Sequence, residues 1–166
     1  MKSLAIAFLA VFASYPAIAQ VQVKNVEVLD YGIYTVDVKS SRRDSQGMNE
    51  NLTTSARLAK ATTTVPAERG VEFGIRYKID GAPVGTAVSL RELTIFPSPG
   101  MRPPTASQPI HISRTTTTPK IGDVSYTGYR LDDPWELLPG VWVIQLWYGN
   151  RKVAQQNFTV IAPLRR

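Results

Sequence analysis

The chain has 166 residues and a formal net charge of +6, with 19 Lys and Arg, 13 Asp and Glu, one His and no Cys. The missing cysteine excludes disulfides, thiolate metal sites and Cys-His catalysis, and a single histidine excludes a histidine metal cluster. The basic residues are scattered, with Arg42-Arg43, Arg151-Lys152 and Arg165-Arg166 as the adjacent pairs, so the charge favours a protein or an anionic envelope component as partner and not a nucleic acid.

The first 19 residues, MKSLAIAFLAVFASYPAIA, combine one early lysine with an apolar run and an Ala-x-Ala end. This pattern predicts a secretory signal peptide that is cleaved after Ala19. The run is shorter than the roughly 20 apolar residues of a membrane span, and Ser14 and Pro16 interrupt it. We therefore expect a periplasmic or secreted protein in which residues 20–166 form a single domain with no membrane span.

Period-two alternation predicts the first strands of that domain. Strands are expected over residues 21–29 and 33–40, joined by a turn at Asp30-Tyr-Gly32. The polar residues 41–47 indicate a loop. A threonine-rich segment over residues 52–65 alternates less clearly and is predicted as a further strand.

The clearest alternation occurs over residues 71–79, where the apolar side chains share one face: Val71, Phe73, Ile75, Tyr77 and Ile79. The opposite face carries Glu72, Arg76 and Lys78. This is the pattern of a half-buried strand. The glycines and the proline of residues 80–85 then predict a turn.

A second strand is predicted over residues 86–96, but its alternation of apolar and polar residues is interrupted. Val88 and Leu90 alternate together, whereas Leu93 and Ile95 are one residue out of step with them. Two explanations are open. Either a β-bulge lies at Arg91-Glu92, or both faces of the strand are covered.

Four prolines exclude residues 97–104 from the interior of a sheet, because each proline lacks a ladder donor. The segment up to Pro109 is predicted as a loop that either offers Met101 and Arg102 to a partner or only crosses between sheets. Strand character resumes over residues 110–118 and 124–131. A compact turn over residues 132–140 follows, with Trp135 predicted to plug one end of the core.

The side chains of the last hairpin favour one of two possible pairings between its strands. Trp142, Ile144 and Leu146 share one face of its first strand, and Phe158 lies on an apolar face of the return strand. A strict two-residue turn would place Trp142 opposite Asn157. A three-residue loop, or a bulge with the same effect, would pair Trp142 with Phe158, and we expect this register because it buries both rings.

In that register Trp147 faces away from Trp142 and stands beside Val153 near the hairpin tip. One interpretation is that a neighbouring segment covers it. The other is a partner-binding patch of Trp147 and Val153 flanked by Arg151 and Lys152, since aromatic and basic residues are enriched at interface centres.

Eight or nine short strands in one domain predict an all-β fold. The first expectation is an antiparallel, immunoglobulin-like β-sandwich, and the alternative is a small β-barrel.

The residues that could carry out catalysis are few. His111, between two isoleucines, is expected on the surface, and no G-x-S-x-G motif surrounds any serine. Asp132, Asp133 and Glu136 cluster in the predicted turn, where capping of backbone amides by Asp is favoured over acid–base work. No catalytic residue, cofactor or metal site is therefore predicted.

Three segments carry a family resemblance: VEVLDYGIY at residues 26–34, FGIRY at residues 73–77 and DPWELLPGVW at residues 133–142. Together with FPSPG at residues 96–100 they resemble a family of exported bacterial proteins classed only as a domain of unknown function. The resemblance spans residues 26–160. It implies a bacterial source and the periplasm or beyond, and it supplies no activity, ligand or catalytic residue.

The sequence thus predicts an exported, non-enzymatic domain, expected as a monomer, that binds a protein or an envelope component. Two other classes remain open at this point. One is a small carboxylate-dependent hydrolase, which would need a concave acidic cleft. The other is a structural module that assembles with itself by pairing of edge strands.

Overall fold

The computed structural model describes residues 21–44 and 47–162, and the predicted signal peptide lies outside them. The described residues form nine strands and one short 3-10 helix, Pro134–Glu136, in the predicted turn before the last hairpin. The strands are β1 (Gln22–Arg43), β2 (Asn49–Ala61), β3 (Thr64–Pro66), β4 (Glu72–Ala82), β5 (Leu90–Ile95), β6 (Ile112–Thr117), β7 (Val124–Arg130), β8 (Gly140–Tyr148) and β9 (Arg151–Ile161).

The strands form two sheets that face each other. Sheet A has the order β2-β1-β4-β7, and sheet B has the order β3-β9-β8-β5-β6. All pairs are antiparallel except β3 with β9. Within the described part of the chain neither sheet closes on itself, so the sandwich prediction is confirmed and the barrel alternative is wrong.

The core lies between the sheets and follows the predicted alternation. Phe73, Ile75, Tyr77 and Ile79 of β4 are at most 1% exposed, as are the facing side chains of β8 and β9: Trp142, Ile144, Leu146, Phe158 and Val160. Trp135 is half-buried and packs against one side of this core. Burial of apolar side chains from both sheets holds the two layers together.

The predicted turn at Asp30-Tyr-Gly32 is wrong, because β1 runs through it as one strand. The first half of β1 pairs with β4, the second half pairs with β2, and the two ladders overlap at Gly32–Tyr34. A Cβ at Gly32 would lie 2.0 Å from the main-chain oxygen of Lys60. Glycine is therefore required here by the close approach of β2 and not by a turn.

The predicted register of the last hairpin is confirmed. Trp142 pairs with Phe158, and Leu146 pairs with Ala154. A β-bulge, and not a three-residue loop, produces this register. The pairing shifts by one residue between Leu146 and Trp147, while Gly149 and Asn150 form a two-residue connection.

The phase break in β5 is not caused by a β-bulge. Its ladders with β6 and β8 contain no register shift at Arg91-Glu92. Alternation from the buried Leu90 therefore places Glu92 and Thr94 on the inner face, while Leu93 and Ile95 are half-buried on the outer face. A carboxylate thus points into the space between the sheets.

Candidate functional site

The predicted aromatic residue Trp147 lies on the outer face of sheet B. It pairs with Arg91 of β5 on one side and with Lys152 of β9 on the other. The guanidinium carbon of Arg91 is 6.0 Å from the ring centroid, and Trp147 Nε1 donates to Gln145 Oε1 at 2.9 Å. The ring is half-buried, and its orientation opposite to Trp142 is as predicted.

Further apolar side chains continue from Trp147 along this face. Cross-strand pairing aligns Leu93, Ile95, Ile112 and Val143 on it. We call Trp147 and these four residues the outer patch. Each of the five is half-buried, and the cations Arg91, Arg114 and Lys152 pair directly with its members. The outer patch therefore combines apolar contact area with positive charge.

Two predicted neighbours of Trp147 have other contacts. Val153 is the unpaired residue of the bulge and packs against the core, so its predicted place beside Trp147 on the outer face is wrong. Arg151 donates to the main-chain oxygens of Val23 at 2.7 Å and Lys24 at 3.4 Å. Arg151 thus fastens the hairpin tip to the start of β1, while Lys152 donates to Gln155 Oε1 at 2.7 Å.

The proline-rich loop does not offer Met101 to a partner. Met101 is 0% exposed, and its main chain exchanges two 2.8 Å hydrogen bonds with Ile110. This bridge turns the apolar side chain into the core, which corrects the prediction for Met101. Arg102 is exposed, as predicted.

A polar cleft, which the sequence did not predict, runs along the free edge of β7. It consists of three adjoining hollows of about 540, 560 and 240 Å³, all of which are lined by Glu92 and Thr117. The hairpin residues 49–56 lie on one side, and residues 113–117 of β6 lie on the other. Because β7 and β6 are the last strands of their sheets, the cleft opens where the sandwich ends.

Glu92 is the carboxylate that lies between the sheets in this cleft. Its Oε1 accepts from Thr117 Oγ1 at 3.0 Å and from Tyr77 Oη at 3.5 Å, and its Oε2 accepts from Thr127 Oγ1 at 2.8 Å. Burial raises the pKa of Glu92, and the hydroxyl donors oppose that rise in part. The hydroxyl groups thus stabilise an inward carboxyl that would otherwise be costly to bury.

Glu72 also lines the cleft, as do Glu50 and Glu92, and it lies at the 240 Å³ hollow. It is 5% exposed, its Oε1 accepts from Tyr126 Oη at 2.8 Å, and its Oε2 has no hydrogen-bond partner among the described residues. Burial is the main cause that raises its pKa to about 7. Glu72 therefore titrates near neutral pH.

Two glycines create the room for the Tyr126 ring. A Cβ at Gly128 would lie 2.0 Å from Tyr126 Oη, and one at Gly74 would lie 2.9 Å from it. Gly74 and Gly128 are paired across β4 and β7. A glycine inside a strand often marks such a close approach, and this was the available sequence signal for the cleft.

Each arginine that lines the cleft is paired with a different carboxylate. Arg42 pairs with Glu50 at 2.6 Å, Arg76 pairs with Asp30, and Arg130 Nε lies 2.9 Å from Asp132 Oδ1, although without hydrogen-bond geometry. Within the described ranges neither Glu72 nor Glu92 has a cationic side chain within ion-pair distance. Of the carboxyls that line the cleft, Glu50 is therefore ion-paired, whereas Glu72 and Glu92 are not, although the charge of Arg130 lowers the pKa of Glu72 in part.

The carboxylates of the turn before β8 have structural contacts. Glu136 is 0% exposed and accepts from the amides of Asp132 at 2.5 Å and Asp133 at 2.7 Å and from Tyr129 Oη at 2.8 Å. Glu136 thus caps these two amides, and Asp133 is the N-cap residue of the 3-10 helix, where the two residues form a capping box. Asp133 also pairs with Arg43 at 2.9 Å.

Within residues 21–44 and 47–162, no group of three or more His, Cys, Asp or Glu side chains is close enough to hold a metal ion. None of the helical structure there is long and apolar enough to cross a membrane. His111 is exposed, as the sequence predicts.

Comparisons with known proteins identify a family and a fold. A family model described as a domain of unknown function, DUF3859, matches residues 22–160. The fold is similar to the crystal structure of an immunoglobulin-like protein from Pseudomonas aeruginosa, with a TM-score of 0.57 and 22% identity over 87% of this chain and 99% of that chain. No curated protein matches the chain. The two-sheet fold is therefore immunoglobulin-like, and the chain belongs to the DUF3859 family of unknown function.

Proposed function

We propose that this protein is an exported, non-enzymatic β-sandwich module that binds an acidic partner protein through the outer patch of sheet B. The observation that carries the proposal is the combination of five apolar side chains with Arg91, Arg114 and Lys152 on one sheet face. Export rests on the signal-peptide pattern of the first 19 residues.

The composition of the outer patch supports a protein partner. Aromatic and arginine side chains supply most of the binding energy at protein interfaces, where they sit among apolar contacts that exclude water. Trp147 and Arg91 are adjacent on this face. Positive charge around an apolar centre favours a partner of opposite charge and increases its rate of association.

The non-enzymatic part of the proposal rests on how the carboxylates are used. Both oxygens of Glu92 accept hydroxyl hydrogens, and both oxygens of Glu136 accept hydrogen bonds from the turn or from Tyr129. Such contacts keep a carboxylate in place and satisfied, which supports a structural role.

The proposal is tested by substitutions in the outer patch. Trp147→Ala and Arg114→Glu are each expected to weaken capture of the partner by about tenfold or more, with a thermal midpoint close to that of the wild type. Affinity capture from an envelope fraction identifies the partner, and a titration with that purified partner then gives the ratio of dissociation constants.

Lys39→Glu supplies the control, because Lys39 is exposed and the variant makes the same charge change as Arg114→Glu on β1 of sheet A. This variant is expected to retain the partner. Arg102→Ala removes an exposed cation from the proline-rich loop, and weaker capture by it would extend the binding surface to that loop. Full retention by Trp147→Ala and Arg114→Glu together would refute the proposed surface.

One observation favours a second candidate, a carboxylate-dependent hydrolase. Glu72 and Glu92 line the same cleft, and burial raises the pKa of both carboxyls, as a general acid requires. Turnover of chromogenic glycosides by the purified protein, lost in Glu72→Gln and Glu92→Gln, would establish this activity. Absence of turnover, or turnover that both variants retain, would exclude it for this substrate class.

A further inference from the structure

We propose that the cleft binds an extended peptide segment of a partner polypeptide, which adds to the free edge of β7 as a further strand of sheet A. This site is separate from the outer patch, because β7 belongs to sheet A and the outer patch lies on the outer face of sheet B. The inference therefore goes beyond the proposed function and does not depend on it.

The main chain of β7 presents hydrogen-bonding groups along its free edge. Leu131, which directly follows β7, donates its amide to the main-chain oxygen of Val71 at 2.9 Å. The direction of hydrogen bonding alternates from residue to residue in an antiparallel pair, so the odd-numbered residues of β7 bond to β4. The amides and carbonyls of the even-numbered residues therefore point to the free edge: Val124, Tyr126, Gly128 and Arg130. Among the described residues these edge groups have no hydrogen-bond partner.

β7 also lacks the features that protect the other end strands of the two sheets. Natural proteins protect free edges with short strands, prolines, charged side chains or bulges. β3 has three residues and ends in Pro66, and β6 carries Arg114. β2 pairs with β1 through register shifts and carries Arg57 and Lys60. The seven residues of β7 pair with β4 without a register shift, and their one charged side chain is Arg130 at the end of the strand. β7 is therefore the end strand that is most open to pairing with another chain.

The cleft leaves room for one further strand beside β7. The hollows of about 540 and 240 Å³ are each lined by residues of β7 and of β2. These two strands are the ends of sheet A and do not pair with each other. Neighbouring strands in a sheet lie about 4.8 Å apart, so a strand that pairs with β7 would enter the gap between them. Residues 49–56 and 113–117 flank this gap on its two sides, which favours a single extended chain over the sheet of a second folded copy.

The lining of the cleft favours a peptide with polar side chains. Every second side chain of a strand beside β7 would point inward, towards Glu92 and Thr117. Asn49 and Asn51 lie on the hairpin side of the same hollow. Hydroxyl and amide side chains both donate and accept hydrogen bonds. We therefore expect serine, threonine, asparagine or glutamine at the alternate, inward positions of the bound peptide.

Hydrogen exchange of the backbone amides, measured by NMR on the full chain, tests this edge. In the free protein we expect slow exchange at Thr127 and Tyr129, which bond to β4, and fast exchange at Tyr126 and Gly128. The probe is the tightest-binding member of a random nonapeptide library displayed on phage, synthesised as a free peptide. At saturation, exchange at Tyr126 and Gly128 should slow by about tenfold or more, as expected for amides that become hydrogen-bonded.

Modified peptides separate main-chain pairing from recognition of side chains. The selected peptide is made in two versions, one N-methylated at its odd positions and the other at its even positions. Each version keeps every side chain but loses the amide donors of one edge. We expect at least one version to raise the dissociation constant by about tenfold or more, because several main-chain hydrogen bonds to β7 are lost.

A variant of β7 removes one donor from the protein side. Val124→Pro deletes an edge amide, and proline is tolerated at the first residue of a strand and on edge strands. The dissociation constant of the peptide is expected to rise about fivefold, the size of one hydrogen bond. Val124→Ala is the matched control, since it also removes this 56% exposed side chain but keeps the amide hydrogen. It should bind the peptide as the wild type does.

Three results would overturn the assignment. One is that no selected peptide slows exchange at Tyr126 and Gly128. Another is that both methylated versions bind as tightly as the unmodified peptide, which would show that the main chain is not recognised. The third is slow exchange at Tyr126 and Gly128 without peptide, in a dimer that dissociates on dilution, which would assign the edge of β7 to a second copy of this chain.

Discussion

Replacement of Trp142 by alanine is expected to lower the free energy of unfolding by about 3–5 kcal/mol. The indole is 0% exposed and lies within 5.0–5.5 Å, centroid to centroid, of the rings of Phe73, Phe96 and Tyr129. Its Nε1 donates to the main-chain oxygen of Leu138 at 2.9 Å. Alanine would leave a cavity between the sheets and remove the donor of a part-buried carbonyl.

Urea unfolding followed by far-ultraviolet circular dichroism measures this loss, because the signal does not depend on the number of tryptophans. Trp142→Phe retains a ring and should cost less than Trp142→Ala. Trp147→Ala deletes the same side chain from the outer face and is expected to cost about 1 kcal/mol or less, the size of an exposed cation–π contact. Equal losses at positions 142 and 147 would contradict the assigned orientation of the two rings.

The orientation of Trp142 could be predicted because it depends on local information. Alternation along one strand assigns Trp142 and Trp147 to opposite faces, and the need to bury Trp142 against Phe158 selects one register. The structure contains that pair. The two strands of a hairpin are close in the sequence, so the residues that bury each other can be predicted from the sequence of that segment alone.

Features that depend on distant segments were not predicted. Gly32 resembles a turn residue, but it lies in a continuous β1 because β2 approaches it from the side. Met101 resembles an exposed loop residue, yet its bridge to Ile110 turns it inward. In both cases a neighbour in space, and not the local composition, decides the conformation.

The cleft is the largest such feature. Glu92 is in phase with the apolar residues Val88 and Leu90, so alternation alone would have placed this carboxyl on the inner face. Its hydroxyl donors come from β6 and β7, and Glu72 reaches the same cleft from β4. No spacing rule brings these strands together, because the cleft exists only once the two sheets are packed.

Stability is expected to fall as the pH rises from about 5 to 8, and Glu72 contributes to this fall. Burial raises the pKa of Glu72 from 4.5 to about 7, so the folded protein holds a proton that the unfolded chain releases. A carboxyl with a raised pKa causes no pH-dependent loss of stability below its unfolded pKa. Above the folded pKa the loss is complete, and for Glu72 it lowers the free energy of unfolding by about 3 kcal/mol. Burial raises the pKa of Glu92 and Glu136 as well, which acts in the same direction.

Urea unfolding at pH 5, 6, 7 and 8 checks this slope. Glu72→Gln should reduce it and leave the variant more stable than the wild type at pH 8, since a neutral side chain replaces a buried charge. Glu50→Gln changes an ion-paired carboxylate of the hairpin and should keep the wild-type slope. Asp30 acts in the opposite direction, because its hydrogen bond with Arg76 lowers its pKa below 3.8, but that stability is lost only at lower pH. A free energy of unfolding that stays constant or rises from pH 5 to pH 8 would show that Glu72 is ionised at no cost in the folded protein, and hence that it already has a donor or a cation beside Oε2.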